Sequence, residues 1–150
     1  MSSIMLVPVL TGGTVSAPYS MIDSCHNVKR RHIMTYIAGI LTPVPNENKE
    51  AYITSVRKAW PLFKDYGALQ MVEAWGDYIP EGEHTDFKSA VALKDDETVC
   101  FSWIIWPDKE THDKCGASMQ TDPRWQDMDM PFDGKRMMWG GFTPIVEEKA

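Results

Sequence analysis

The sequence is short of the features that announce a chemistry. Its three cysteines, Cys25, Cys100 and Cys115, are odd in number and form no CxxC pair. That excludes a disulfide framework or a zinc finger and predicts reduced thiols. No run of apolar residues approaches the ~20 needed to span a bilayer. The stretch Ile4 to Leu10 is apolar but short, holds Pro8, and has no Lys or Arg before it, so it lacks the charged start of a secretory signal. Positive charge is also scarce: the net charge is −6. The only dense basic run is Lys29, Arg30 and Arg31, beside His32 and ahead of the globular part. An acidic chain repels nucleic acid and anionic lipid, so neither is an expected partner. P-loop, GxGxxG, GxSxG and HExxH patterns are all missing, and with them the chemistries those motifs define.

What is present is aromatic and apolar. The 150 residues include six Trp and ten Met, with 43% hydrophobic and 24% charged residues. This is the composition of one globular domain long enough to fold without staples, and a cytosolic location is the expectation.

The chain reads as two regions. Residues 1–33 are broken by Gly12, Gly13, Ser16, Pro18 and Ser20 and show no amphipathic period. They are expected to be a disordered extension, or a leader from an extended start, with Met34 as an alternative initiator. Residues 34–150 form the expected domain. Thr35–Thr42 reads as a strand ended by Pro43 and Pro45. Asn46 reads as the cap of a helix in which Tyr52, Val56, Ala59, Trp60 and Phe63 recur at helical spacing, with Gly67 closing it. Pro61 should bend that helix or restart it.

Ala68–Gly76 reads as the second strand, Asp77–Phe87 as a loop, and Lys88–Leu93 as a short extended or irregular piece. Thr98–Trp106 is the clearest strand. Asp108 caps a second helix running to about Thr121, and Met137–Val146 is the last strand. The order β-α-β-β-α-β is the ferredoxin-like, α+β arrangement. Right-handed crossovers would place both helices on one face of a four-stranded antiparallel sheet.

The strands carry apolar residues on both faces. Val99, Phe101, Trp103 and Ile105 alternate with Cys100, Ser102, Ile104 and Trp106. Two helices cover one face only, and a bare apolar face is a liability for a monomer. A second copy packing sheet on sheet, as a dimeric α+β barrel, is the predicted remedy.

Specific segments then make a resemblance visible. They are YIAGILTPVP (36–45), FSWIIWP (101–107), DPR (122–124) and above all MPFDGKRMMWGGF (130–142), with a GAL–VE–GD pattern at 67–69, 72–73 and 76–77. With these residues the chain resembles the bacterial family called domain of unknown function 1428, from about Met34 to Ile145. The resemblance implies the ferredoxin-like fold and the dimeric barrel, and no activity. Some members carry a label linking them to signal-recognition-particle RNA, which the acidic composition here does not support.

Several residues are candidates for chemistry. Glu73 lies mid-strand in register with Leu69, Met71 and Trp75; in an apolar setting it becomes a candidate general acid or base. The structural alternative is an ion pair with Arg136 or Lys135. His112, one turn into the second helix, is a candidate proton shuttle, or one of two metal ligands with Cys115, too few for a convincing metal site. Trp75, Trp103 and Trp139 are candidates for lining a pocket, and Arg136 for holding an anion in the Pro131–Gly134 turn. Glu81, Glu83, His84 and Asp86 cluster in one loop but match no metal-loop spacing. The expected protein is a homodimer that needs no metal or cofactor. It would bind or convert a small organic molecule, or serve as a non-catalytic accessory dimer.

Overall fold

The computed structural model describes residues 35–148, so the readings of residues 1–33 lie outside the described residues. Four strands and three helices follow in the order β1 (Tyr36–Pro45), α1 (Lys49–Asp65), β2 (Gln70–Trp75), α2 (Phe87–Ala90), β3 (Glu97–Trp106), α3 (Lys109–Ser118) and β4 (Met138–Phe142). The sheet order is β2-β3-β1-β4, and every neighbouring pair is antiparallel. This is the ferredoxin-like α+β arrangement expected from the sequence, with α2 as a single added turn.

Register sorts the side chains by face, because successive residues of a strand alternate. Ser102 pairs with Ile40 on one side and Glu73 on the other, and Ile104 pairs with Ala38 and Met71. These residues share one face with Cys100, Trp106 and Trp75, and that face carries the core. One core cluster joins Tyr36, Ala68, Ile104, Trp106 and Cys115, with Trp60, Phe63 and Trp125 packed against it. A second joins Val44, Tyr52 and Cys100, with Val56, Trp75 and Phe132. Each large side chain buried there contributes roughly 1.5–3 kcal/mol. The opposite face bears Phe101, Trp103, Leu41, Met138 and Phe142, and Phe101, Met138 and Phe142 are exposed.

Several boundaries differ from the sequence reading for identifiable reasons. β1 runs through Pro43 and Pro45 instead of stopping at Thr42, because both stay paired with β3, opposite Val99 and Glu97. β4 reaches only to Leu41, so β1 has a free edge there and its prolines forfeit no ladder bond on that side. Asn46 is not the cap of α1. It opens a single 3-10 turn, and its Oδ1 accepts a hydrogen bond from Thr98 Oγ1 at 2.6 Å.

α1 is one continuous helix across Pro61, so no restart occurs there. Gly67 does close the turn after it, at φ 97°, and a Cβ there would stand 2.7 Å from Thr111 Cγ2 on α3. The acidic loop leads into α2, whose first turn Asp86 caps by accepting from the Ser89 amide at 2.6 Å. β4 ends at Phe142, not Val146; Pro144 interrupts the stretch, and Ile145 and Val146 are exposed.

Candidate functional site

Glu73 enters the core face from β2, an edge strand, directly opposite Ser102. α1 crosses above it and lowers Tyr52 from its buried side. The Tyr52 hydroxyl donates to Glu73 Oε2 at 2.7 Å, the Ser102 hydroxyl donates to the same oxygen, and the Cys100 thiol lies 3.7 Å from it. All three groups meet Oε2, which leaves Oε1 for another partner. Beside this cluster the Lys49 ammonium stands 4.8 Å over the Trp75 ring, and Phe132 meets Tyr52 edge-on at 5.8 Å.

The surroundings hold the neighbours of Glu73 in their neutral forms. Burial first, and then the Glu73 charge and hydrogen bond, push the Tyr52 phenol far above its usual range. Burial likewise pushes the Cys100 thiol up, against the opposing hydrogen bonds from Tyr52 and Ser102. A phenol, an alcohol and a thiol that keep their protons can each donate to one carboxylate. The arrangement can therefore hold a donor-bearing molecule at Oε1, or take a proton from it.

The ion-pair partner expected for Glu73 does not form. Arg136 turns to Glu97 instead, donating through both terminal nitrogens at 2.6 Å, and through Nε to Asp133 at 2.8 Å. Glu97 is buried, and the Arg136 guanidinium, outweighing the effect of burial, holds its carboxyl below the usual range. Asp133 also accepts from the Lys135 amide at 3.0 Å, so this turn closes on its own carboxylate.

The remaining candidates are dispersed. Trp75 joins Glu73. Trp103 lies on the opposite face of the sheet, beside Phe101 at 5.3 Å between ring centroids, and cannot share a pocket with Glu73. Trp139 pairs with Ile40 on edge strand β4 and is 72% exposed. His112 packs between the rings of Tyr36 and Trp106 and contacts Asp113 at 3.1 Å. Trp106 lies four positions along β3 from Ser102, roughly 13 Å, so His112 and Glu73 do not meet. Cys115 is buried and its thiol is pushed up to about 11 by burial. Among the described residues no group of three or more His, Cys, Asp or Glu is placed to hold a metal ion.

Sequence reasoning missed Tyr52, Ser102 and Cys100 as the partners of Glu73. The available signal was parity: Ser102 and Cys100 are the small polar residues on the face of β3 that also carries Ile104 and Trp106.

A second feature lies on the open face. Gly39 on β1 pairs with Gly140 on β4, and the Phe142 ring folds back over both; a Cβ on either glycine would sit 3.1 to 3.3 Å from that ring. A groove of about 250 Å³ opens here, lined by Leu41, Phe87, Phe101, Met138 and Trp139 as well. It does not include Glu73.

A four-stranded antiparallel sheet with its helices in ferredoxin-like order places the chain among small α+β proteins. Within that class, the chain belongs to the family described as "Protein of unknown function (DUF1428)", whose model matches residues 35–134. It is 46% identical over 117 residues to "Uncharacterized protein YbaA" of Escherichia coli strain K12, covering 77% of this chain and 100% of the relative. The same figures hold for the protein of that name in Shigella flexneri. Among solved structures, a dimeric ferredoxin-like protein from an uncultured marine organism matches with a TM-score of 0.51 at 10% identity, covering 77% of this chain and 99% of the other. That likeness concerns the fold. No helix among the described residues is long and apolar enough to cross a membrane.

Proposed function

We propose that the protein works as a cytoplasmic homodimer in which two subunits close the open faces of their sheets into one α+β barrel. The barrel would hold a small organic molecule between the sheets without a cofactor. The observation that carries this reading is the open face itself. Phe101 on β3 is 44% exposed, and Met138 and Phe142 on β4 are 47% and 59% exposed, on the two strands that flank β1, and apolar surface of this kind marks an interaction site. Two-fold packing would bury that surface and enclose the groove at Gly39 and Gly140.

Sedimentation equilibrium tests the dimer. Wild type is expected at twice the monomer mass, and Phe101→Lys and Phe142→Asp at the monomer mass with helical circular dichroism retained. A wild type that stays monomeric at tens of micromolar would overturn it.

A second reading concerns Glu73, favoured by the three groups on one of its oxygens and the free second oxygen. Here Glu73 binds a hydroxyl or amino group of a small molecule, or acts on it as acid or base. A thermal-shift screen against metabolites on wild type and Glu73→Gln addresses it. A ligand shift lost in the variant supports the reading, and equal shifts in both proteins reject it. Where no compound shifts either protein, the accessory dimer with no small-molecule site is the better account.

A further inference from the structure

The segment between α3 and β4 lies across α1 and ends against the Glu73 cluster. Both of its ends are fixed. Trp125 packs on Phe63 and Tyr66 at 5.0 and 6.2 Å and donates from Nε1 to Ser118 Oγ at 2.9 Å. Arg136 is clamped to Glu97 by two hydrogen bonds.

Between these anchors the attachment is of one kind. Asn48 Nδ2 donates to the Pro131 carbonyl at 2.9 Å, the Ser55 hydroxyl to the Asp129 carbonyl, and Lys58 Nζ to the Asp127 carbonyl at 2.6 Å. Asn48 stands just before α1, and Ser55 and Lys58 lie on it. Among the described residues, no backbone–backbone hydrogen bond ties residues 129–132 to the rest of the domain. Phe132 packs against the core cluster of Val44, Tyr52 and Cys100 and meets the Tyr52 ring edge-on. A stretch held by side chains alone, with firm anchors on both sides, opens at lower cost than the domain unfolds.

We infer that residues 127–132 are a hinged cover over the Tyr52–Glu73–Ser102–Cys100 cluster, which lifts Phe132 away and admits a small ring compound bearing a hydroxyl or amino group to Glu73 Oε1. The ring would replace Phe132 against Tyr52, and its donor would meet the oxygen that the cluster leaves unused. This rests on the Glu73 reading above for the ligand, but opening can be measured without one.

Two buried cysteines supply the measurement. Cys100 lies under the cover, and Cys115 lies in the other core cluster. The full chain, with Cys25→Ser to remove the remaining thiol, is treated with iodoacetamide and each site is followed by mass spectrometry. Cys100 is expected to react about tenfold faster than Cys115, since local opening exposes only the first. Phe132→Ala is expected to raise the Cys100 rate by a further factor of about ten and leave Cys115 unchanged. Asn48→Ala, which removes one of the bonds to the cover, should act in the same direction.

Equal rates at the two cysteines in wild type would mean that only global unfolding exposes them, and would overturn the cover. So would a Phe132→Ala variant that speeds both equally or neither. Phenol and aniline are the probes for the site: either one slowing Cys100 alkylation without slowing Cys115 supports admission to the cluster. A cover that opens while neither compound protects Cys100 would reject the ligand and leave the cover standing.

Discussion

Tyr52 and Glu73 join α1 to the edge strand β2 through a 2.7 Å hydrogen bond between a buried phenol and a carboxylate. A bond to a charged acceptor contributes about 1.5–3 kcal/mol, more than a neutral pair. Tyr52→Phe should therefore lower the unfolding free energy by that amount in urea titrations at neutral pH. A loss below about 0.5 kcal/mol would show that water replaces the phenol at no cost.

The same pair predicts an alkaline limit. The folded-state pKa of Tyr52 is raised above its ordinary 10.0 by burial first and by Glu73 second. A raised value means that the stability Tyr52 contributes is complete below pH 10.0 and is lost progressively above it, as the unfolded chain gives up the proton. Wild-type stability should fall as pH rises past 10.0 and the fall should be shallower in Tyr52→Phe. Identical slopes would contradict the assignment.

Arg136 and Glu97 predict an acid limit of opposite sign. The Arg136 hydrogen bonds hold the Glu97 pKa below its ordinary 4.5. The pair's contribution is complete above pH 4.5 and declines below it as Glu97 takes up a proton. Arg136→Ala should lower the urea midpoint at neutral pH, because it strands a buried carboxylate. The gap between wild type and variant should narrow as pH drops below 4.5. A gap independent of pH would assign the effect to lost packing by the arginine stem.

Gly67 should tolerate no side chain. Its φ of 97° is strained for any other residue, and a Cβ would press on Thr111. Gly67→Ala is expected to cost about 1–3 kcal/mol by chemical denaturation. Thr111→Ser should recover part of that loss, since it removes the methyl group in the way. Full additivity of the two substitutions would mean that the strain lies in the backbone alone.

The domain start expected at Met34 is open to a direct test. β1 begins at Tyr36 and the family match at residue 35. A chain starting at Met34 should keep the thermal midpoint and the oligomeric state of the full chain, measured by calorimetry and sedimentation. A marked drop in midpoint would give residues 1–33 a structural role.

Element order was legible because the signals for it are local. TVCFSWIIW is apolar at nearly every position, and Tyr52, Val56 and Phe63 keep helical spacing. Asp108 read correctly as a cap; its carboxylate accepts from the Thr111 amide at 2.7 Å. Errors arose where a distant strand decides the outcome. Pro43 and Pro45 look like stops until β3 is known to pair through them, and Met137–Val146 looks like a ten-residue strand until β4 pairing is seen to end at Phe142. Of the candidate cluster, the sequence singles out one residue. Glu73 stood out as a carboxylate in an apolar register, but Tyr52 lies 21 positions earlier and Ser102 lies 29 later. Meeting at one oxygen depends on how α1 crosses the sheet, which spacing does not encode. Arg136 was misassigned for the same reason: its partner Glu97 is 39 residues away, and Glu73 offered an equally plausible charge.

The prolines of β1 carry one more consequence. Past Leu41, β1 has no strand on its β4 side, and an unpaired strand edge is a template on which further chains can grow into fibrous aggregates unless it is blocked or covered. Pro43 and Pro45 have the same parity, and since the Asn46 amide donates to Asp96 on the β3 side, both ring nitrogens turn to the unpaired side, where Pro43 is fully buried. A strand arriving there would find no amide hydrogen to accept. The domain thus keeps a strand longer than its partner, without giving stray polypeptide a rung to climb.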